Sequence, residues 1–482
     1  MKRIILLSIG LISITPLFAQ TNPYKFQVEN VKDTVVYLAN YYGDKLYYSD
    51  TAYTDVNGNF SFKAIPENNQ GKYAVVIPGP KYFDIIIADN EEINIKTDTT
   101  DLINNITVLK SQNNKVMYEY MHFLTERRGE REKLVSSLEE NEGNEEAQKA
   151  IKDEYSVLND QVIAYQKKTA SDNQPLFVAK EIMMSVDPEV PKELQADQSS
   201  GYFYFKDHYF DNINLKDDRI VRTSIFHNKL DNYLNKTLIQ NPDSIVASVD
   251  KLISKLDRGS EVFKYVVHYT TYNFETSKIM GMDKVFVHMV DTYYKDDIAF
   301  WMDTDKIKKI QEKADEKRNT LIGMAAPELI LMDTSGTWIS TYKDVNTKYT
   351  LLFFYDPDCG HCKKETPKLV EFYKTHSPKN ITVFAVSSNH DEKWKKFIQK
   401  NEMAFYNVSI PAQAYSDAEY ATRLITSGTT TYKSLKYQET FDVVTTPKIL
   451  LLDENHVIVA KDIGVEQVEG FITRFEESLS AQ

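Results

Sequence analysis

The chain has 482 residues, which at ~150 residues per domain predicts about three domains, and 42% hydrophobic with 26% charged residues is the composition of a globular protein. Its two cysteines, Cys359 and Cys362, exclude a disulfide-stapled scaffold and any four-thiolate zinc or iron–sulfur site within one chain. With 57 basic against 70 acidic residues and a net charge of −13, no excess positive field attracts phosphate backbones, so no nucleic-acid partner is expected.

Residues 1–19 read as a secretory signal peptide. Lys2 and Arg3 lead an apolar run from Ile4 to Leu17 that closes at Phe18-Ala19-Gln20, with cleavage expected after Ala19. The run is shorter than the ~20 residues of a spanning helix. No cysteine follows it, so a lipoprotein anchor is not expected, and later apolar runs are too short or too charged to cross a bilayer. The mature protein is expected to be exported and soluble, with no membrane span.

Residues 20–110 read as a β-sandwich. Tyr24, Phe26 and Val28 alternate with polar neighbours, which is the period of a half-buried strand. Six further short strands follow: Val35–Ala39, Thr51–Thr54, Phe60–Lys63, Tyr73–Ile77, Phe83–Ile87 and Ile93–Lys96. Asn57-Gly58 signals a hairpin between two of them. Seven short strands argue for two packed sheets.

The period changes over residues 111–320, a mostly helical domain. Val116, Met117, Tyr120, Phe123 and Leu124 share one helical face, as do Ile151, Tyr155, Leu158, Val162 and Tyr165, and again Phe263, Val266, Val267, Thr270 and Phe274. The charge-rich stretch Glu126–Lys149 reads as a solvated helix pair and its connecting loop. His122, His208, His227, His268 and His288 lack metal-ligand spacing and read as structural or surface residues, with no metal role expected.

Residues 321–482 alternate strands and helices, an α/β pattern. Tyr349–Tyr355 is a continuous apolar run suited to a strand buried on both faces. A helix follows from Cys359, then a strand at Ile381–Ser387. Asn389 with Glu392 three residues later resembles a capping box for the next helix. Lys448–Leu452 and Val457–Ala460 form a strand pair across a turn, and a last helix covers about Glu466–Leu479.

The thiols sit as C-x-x-C directly after the buried strand and at a helix start, a redox arrangement. The helix N-terminus supplies unpaired N–H groups and partial positive charge, which stabilise a Cys359 thiolate. Cys362 lies one turn on, within reach of a disulfide. Cys359 is thus the expected nucleophile and Cys362 the buried resolving thiol. A two-thiolate metal site completed by His361 is disfavoured, because no further ligands cluster nearby.

Gly323-Met324-Ala325-Ala326-Pro327, Leu329–Thr341 around Ser335-Gly336, Leu351–Phe354, Cys359–Pro367, Val443–Pro447 and Leu451-Leu452-Asp453 with Ile463-Gly464 occur in the order found in the periplasmic thioredoxin-like proteins typified by TlpA and ResA. The last 160 or so residues resemble that family. The upstream regions resemble, more weakly, the sandwich and helical domains of unknown function that precede such modules in bacterial envelope proteins.

The resemblance implies a thioredoxin-like C-terminal fold, a periplasmic location and thiol:disulfide oxidoreductase activity without a cofactor. Its expected partners are cysteine-containing envelope proteins and a membrane thiol electron donor. It further implies that Pro447 is cis and faces the cysteines, that Thr446 offers backbone hydrogen bonds to substrate, and that Pro367 kinks the first helix. Glu365 takes the family's acidic position as general base for Cys362, with a solvated first-turn glutamate as the alternative. Gly360 and His361 tune the potential. Their dipeptide is that of protein disulfide isomerases, ~90 mV above thioredoxin.

Three features depart from this pattern. Phe353 stands where classical thioredoxins bury an aspartate, and Asp358 stands where they commonly have tryptophan, placing a carboxylate that opposes thiolate formation. Pro411–Tyr437 looks like an insertion, either shaping substrate access or forming a surface excursion. A reading from another class remains beside the enzyme: the upstream residues bind a partner or ligand, and the redox pair senses or locks that state.

Overall fold

The computed structural model of the chain describes residues 23–79, 81–377 and 380–480. The expected signal peptide lies outside the described residues. The chain divides into two compact units, residues 1–237 with 260–262, and residues 238–259 with 263–482.

The first unit opens with strands β1 (Tyr24–Glu29), β2 (Val35–Tyr42), β3 (Lys45–Tyr53), β4 (Asn59–Phe62), β5 (Gly71–Ile77), β6 (Lys81–Ile87), β7 (Ile93–Asp98) and β8 (Thr107–Lys110). They form two four-stranded sheets, ordered β4-β1-β7-β8 and β3-β2-β5-β6. Phe26 and Val28 from one sheet and Leu38, Val75 and Phe83 from the other enter a single buried cluster, so the sheets pack as the expected sandwich. The eighth strand was not legible because its four residues are mostly exposed and carry no inward apolar alternation.

Asn57-Gly58 does not close the expected hairpin. β3 and β4 belong to different sheets, and β4 pairs antiparallel with β1, Phe26 opposite Phe60. The turn passes under β1, where Val28 N–H donates to Gly58 O at 3.0 Å, and a Cβ on Gly58 would meet Val28 O at 2.2 Å. The glycine serves close backbone approach and a φ of +77° at a corner between sheets.

Helices α1 (Gln112–Glu140) and α2 (Glu145–Asp172) follow, then α3 (Phe177–Met184), α4 (Lys192–Gln195), α5 (Gln198–His208) and α6 (Ser224–Asn232). Ser111 and Asn144 cap the two long helices through Asn114 N–H and Ala147 N–H. The charge-rich stretch is the distal part of this helix pair and its loop, as its pattern predicts.

The second unit contains α7 (Pro242–Ile253), all of α8 (Glu261–Glu275) from Phe263 onward, α9 (Asp283–Tyr293) and α10 (Thr304–Arg318). Then come β9 (Ile330–Asp333), β10 (Trp338–Ser340), β11 (Tyr349–Tyr355), α11 (Gly360–His376), β12 (Ile381–Ser387), α12 (Glu392–Asn401) and β13 (Tyr406–Ser409). Four short helices, α13 (Ala412–Ser416), α14 (Ala418–Thr426), α15 (Tyr432–Leu435) and α16 (Tyr437–Thr440), precede β14 (Lys448–Asp453), β15 (Ile458–Lys461) and α17 (Val465–Ser480).

The sheet order is β10-β9-β13-β12-β11-β14-β15, with β11, β12 and β13 mutually parallel and β14 antiparallel to β11. All seven residues of β11 are buried. Leu351, Phe353 and Tyr355 pack with α11, α12 and α17 on one face, while Leu352 and Phe354 pack with Val408, Tyr437 and Phe441 on the other. The sheet is therefore covered on both sides, which explains the continuous apolar run.

Two local features differ from expectation or add to it. The cap of α12 is Asp391, whose side chain accepts from Trp394 N–H at 2.9 Å, while Asn389 N–H is spent on Ser387 Oγ at 3.1 Å. Aspartate one residue before the helix outcompetes the more distant asparagine. Lys461 of β15, 5% exposed, pairs with Asp283 of α9 and donates to Thr320 O at 2.9 Å, fastening the helical segment to the sheet.

Candidate active site

β11 ends at Tyr355 and the chain turns through Asp356–Asp358 into α11. Asp356 holds this turn: its Oδ1 accepts from Asp358 N–H at 2.7 Å, its Oδ2 accepts from Ser388 Oγ at 2.8 Å, and its carbonyl accepts from Cys359 N–H at 3.1 Å. Cys359 occupies the N-cap of α11, and its sulfur accepts from Cys362 N–H at 3.5 Å. Cys359 is partly exposed and Cys362 fully buried, both as free cysteines.

Position separates the two thiols electrostatically. Burial opposes ionisation of Cys359, but the N–H groups of Cys362 and His361 and side-chain hydrogen bonds from Cys362 and Thr446 outweigh it, holding this thiol below its ordinary value. Burial pushes Cys362 up to about 11, helped by the adjacent Cys359. One sulfur is thus partly exposed and the more readily ionised, and the other is a buried thiol whose ionisation is opposed.

The loop before β14 closes over this pair. Cys359 Sγ donates to Thr446 O at 3.4 Å, and the Thr446–Pro447 peptide is cis, as expected. Beneath the cysteines, Trp394 Nε1–H donates to Tyr355 OH at 2.9 Å within the buried cluster that holds Cys362.

This strand–cysteine–helix arrangement coincides with a family match: residues 322–461 match the AhpC/TSA family. The C-terminal region is an AhpC/TSA, thioredoxin-like domain. Residues 138–318 match a domain of unknown function, DUF5106. The thiol-disulfide oxidoreductase ResA of Bacillus cereus is 27% identical over 162 residues, 33% of this chain and 81% of that relative. A crystallised domain of a possible thiol-disulfide isomerase from Cytophaga hutchinsonii is 36% identical, covering 34% of this chain and 97% of that one, with a TM-score of 0.28. A thioredoxin-like protein from Bacteroides caccae is 17% identical, covering 60% of this chain and 97% of that one, with a TM-score of 0.44.

Within the AhpC/TSA domain the remaining candidate residues take distinct places. Glu365 Oε1 accepts from Lys368 Nζ at 2.7 Å, while Oε2 is buried without a hydrogen-bond partner among the described residues. Gly360 has open space where a Cβ would be, and His361 is exposed. Pro367 lies inside α11, which runs on to His376. Phe353 is fully buried, so no carboxylate enters the core there.

Asp358 is less of an opponent to the thiolate than its position suggests. It is exposed and its carboxylate meets Lys393 Nζ at 3.1 Å, a partner on α12 that no local motif announces. Residues Pro411–Tyr437 fold as α13–α15 around a cavity of about 460 Å³ whose lining includes Tyr415, Ile425 and Tyr437. Sequence reasoning also missed Asp356. Its signal was a carboxylate between the strand end and the first cysteine.

Proposed function

We propose that this chain is an exported thiol:disulfide oxidoreductase that exchanges disulfides with cysteine-containing proteins of the cell envelope, in a periplasmic setting. The observation that carries this reading is the unequal pair: a helix-capping Cys359 with a lowered pKa beside a fully buried Cys362 pushed up to about 11. The AhpC/TSA match and relatives named thiol-disulfide oxidoreductases support it. Among the described residues, no helix is long and apolar enough to cross a membrane.

The Cys359 thiolate attacks one sulfur of a substrate disulfide; that S–S bond breaks, a mixed disulfide forms, and the departing substrate thiolate takes a proton. Cys362 then gives its proton to a base and attacks Cys359 Sγ. The Cys359–Cys362 disulfide forms, the second substrate thiolate leaves, and two electrons have passed to the substrate. Glu365 lies three residues beyond Cys362 on α11 and is the proposed base, its buried Oε2 supplying the acceptor. Thr446 and cis-Pro447 border Cys359 and are the proposed docking edge for the substrate backbone. A membrane thiol donor returns the pair to its reduced state.

Reduction of a model disulfide by the full chain tests the reading. Cys359→Ser is expected to abolish turnover and Cys362→Ser to accumulate mixed disulfide; turnover retained by Cys359→Ser would refute it. Stabilising the reduced thiolate raises the potential. A value near about −270 mV marks a reductase, and one near about −180 mV an isomerase or oxidant.

A further inference from the structure

Exposed apolar surface in residues 322–461 gathers at one edge of their sheet. Among the described residues of that span five large apolar or aromatic side chains are exposed: Met324, Tyr342, Tyr415, Tyr432 and Val444. The last three border the α13–α16 cavity or the cis-proline loop. The parallel strands β11, β12 and β13 place their C-terminal ends at this edge, and the crevice outside such ends is where open α/β sheets take ligands. Cys359 follows the first of these ends, and Ile410, in the cavity wall, follows the third. Tyr437, also in the wall, stacks on Phe354 with ring centroids 5.6 Å apart and donates to Ser387 O at 3.5 Å, next to the Ser388 hydroxyl that holds Asp356.

The lining selects an apolar guest. Ile425, Leu435 and Tyr437 help enclose about 460 Å³, and the charged members of the lining, Lys436 and Glu439, pair with each other at 3.1 Å. No net charge is left there to call for a charged group.

The adjoining loop selects a polypeptide. Val443 N–H is spent on the carbonyl of Gln438, a lining residue, at 2.8 Å, whereas the N–H groups of Val444, Thr445 and Thr446 have no hydrogen-bond partner among the described residues. An extended chain laid against this strip supplies carbonyls to it. Thr446 O lies 3.4 Å from Cys359 Sγ, and Val443 is three residues back, within ~10 Å for extended chain. A substrate residue three positions from the attacked cysteine therefore reaches the cavity rim. Because side chains alternate along a strand, that odd offset turns it to the face opposite the cysteine. The cavity lies on that face: Leu435 and Tyr437 pack with Leu352 and Phe354, whereas Cys362 packs with Leu351 and Phe353.

We propose that the α13–α16 cavity is a specificity pocket for a large apolar side chain of the substrate polypeptide, three residues from the cysteine that Cys359 attacks. This rests on the disulfide exchange proposed above.

The test uses alanine-rich peptides with a single cysteine, presented as its mixed disulfide with thionitrobenzoate, whose release by the reduced full chain is followed by absorbance. A tryptophan three residues before or after the cysteine should raise the second-order rate constant about tenfold or more over the all-alanine peptide, the gain from burying one large apolar side chain. Ala418→Trp, at an exposed position of the lining, fills the space and should bring that ratio close to one. Tyr415→Ala removes an aromatic wall and should lower it severalfold. A ratio of one in the wild type, with both peptides reacting, overturns the pocket and leaves the oxidoreductase standing. So does a ratio that neither substitution moves. No reaction with any peptide overturns both.

Discussion

The β11–α11 junction and the α1–α2 hairpin differ in composition and in fate: the strand at the junction is almost wholly apolar, the hairpin rich in charge. At the junction every residue of the strand is buried, and the first helical turn meets Asp356, Thr446 and a fully covered Cys362. In the hairpin 47 consecutive residues, Glu119–Tyr165, are at least partly exposed. Burial pushes the Cys362 thiol up while hydrogen bonds at the helix N-terminus bring Cys359 down against its own desolvation, so two neighbouring thiols lie on opposite sides of the ordinary value. The hairpin's charges pair along the helix surface instead, Arg127 with Glu130 at 2.8 Å and Arg128 with Glu132 at 3.0 Å.

The strongest way to break this contrast is at the nucleophile. Cys359→Ser should remove disulfide reduction entirely while leaving the fold intact, since the serine hydroxyl can still cap α11. Unchanged thermal unfolding with no turnover is the expected pair of readings. Next comes the scaffold: Phe354→Ala, at a site with no exposed surface, should cost about 3–5 kcal/mol in urea unfolding. Cutting the buried pair by Asp283→Ala should cost about 3–5 kcal/mol, since Lys461 would remain buried and charged without its carboxylate.

Much of the junction was legible from residue order. A seven-residue apolar run, C-x-x-C and Thr446-Pro447 are contiguous signals whose spacing carries their meaning. The short strands β9, β10 and β13 were hidden because three or four residues cannot display a period. Their place is set by long-range register, such as Ser409 opposite Met332. Asn57-Gly58 has the local chemistry of a hairpin, yet the neighbouring Val28 carbonyl, reached only through tertiary packing, makes it a corner. Lys393 on Asp358 and Lys461 on Asp283 were likewise invisible, since ion pairs between distant elements leave no trace in spacing.

The pH dependence sharpens the comparison within the site itself. Alkylation of Cys359 in the reduced protein should reach half its maximal rate below pH 9.0, its ordinary value, whereas Cys362 in the Cys359→Ser chain should stay unreactive at neutral pH. Because folding lowers the Cys359 pKa, its ionisation stabilises the reduced fold above the unfolded thiol value. That contribution is lost as pH falls through the lowered folded value. Equal alkylation profiles for the two thiols would remove the asymmetry on which the proposed order of attack rests.

The smallest expected effect is in the hairpin. Val157 of α2 is 56% exposed, so Val157→Ala removes little burial and gains helix propensity from an unbranched residue. The net change in unfolding free energy should stay within about 0.5 kcal/mol. A cost of ~2 kcal/mol or more would be the signature of a buried valine. It would mean that a partner covers this face, and that the hairpin's exposure in the single chain misstates its surroundings in the assembled protein.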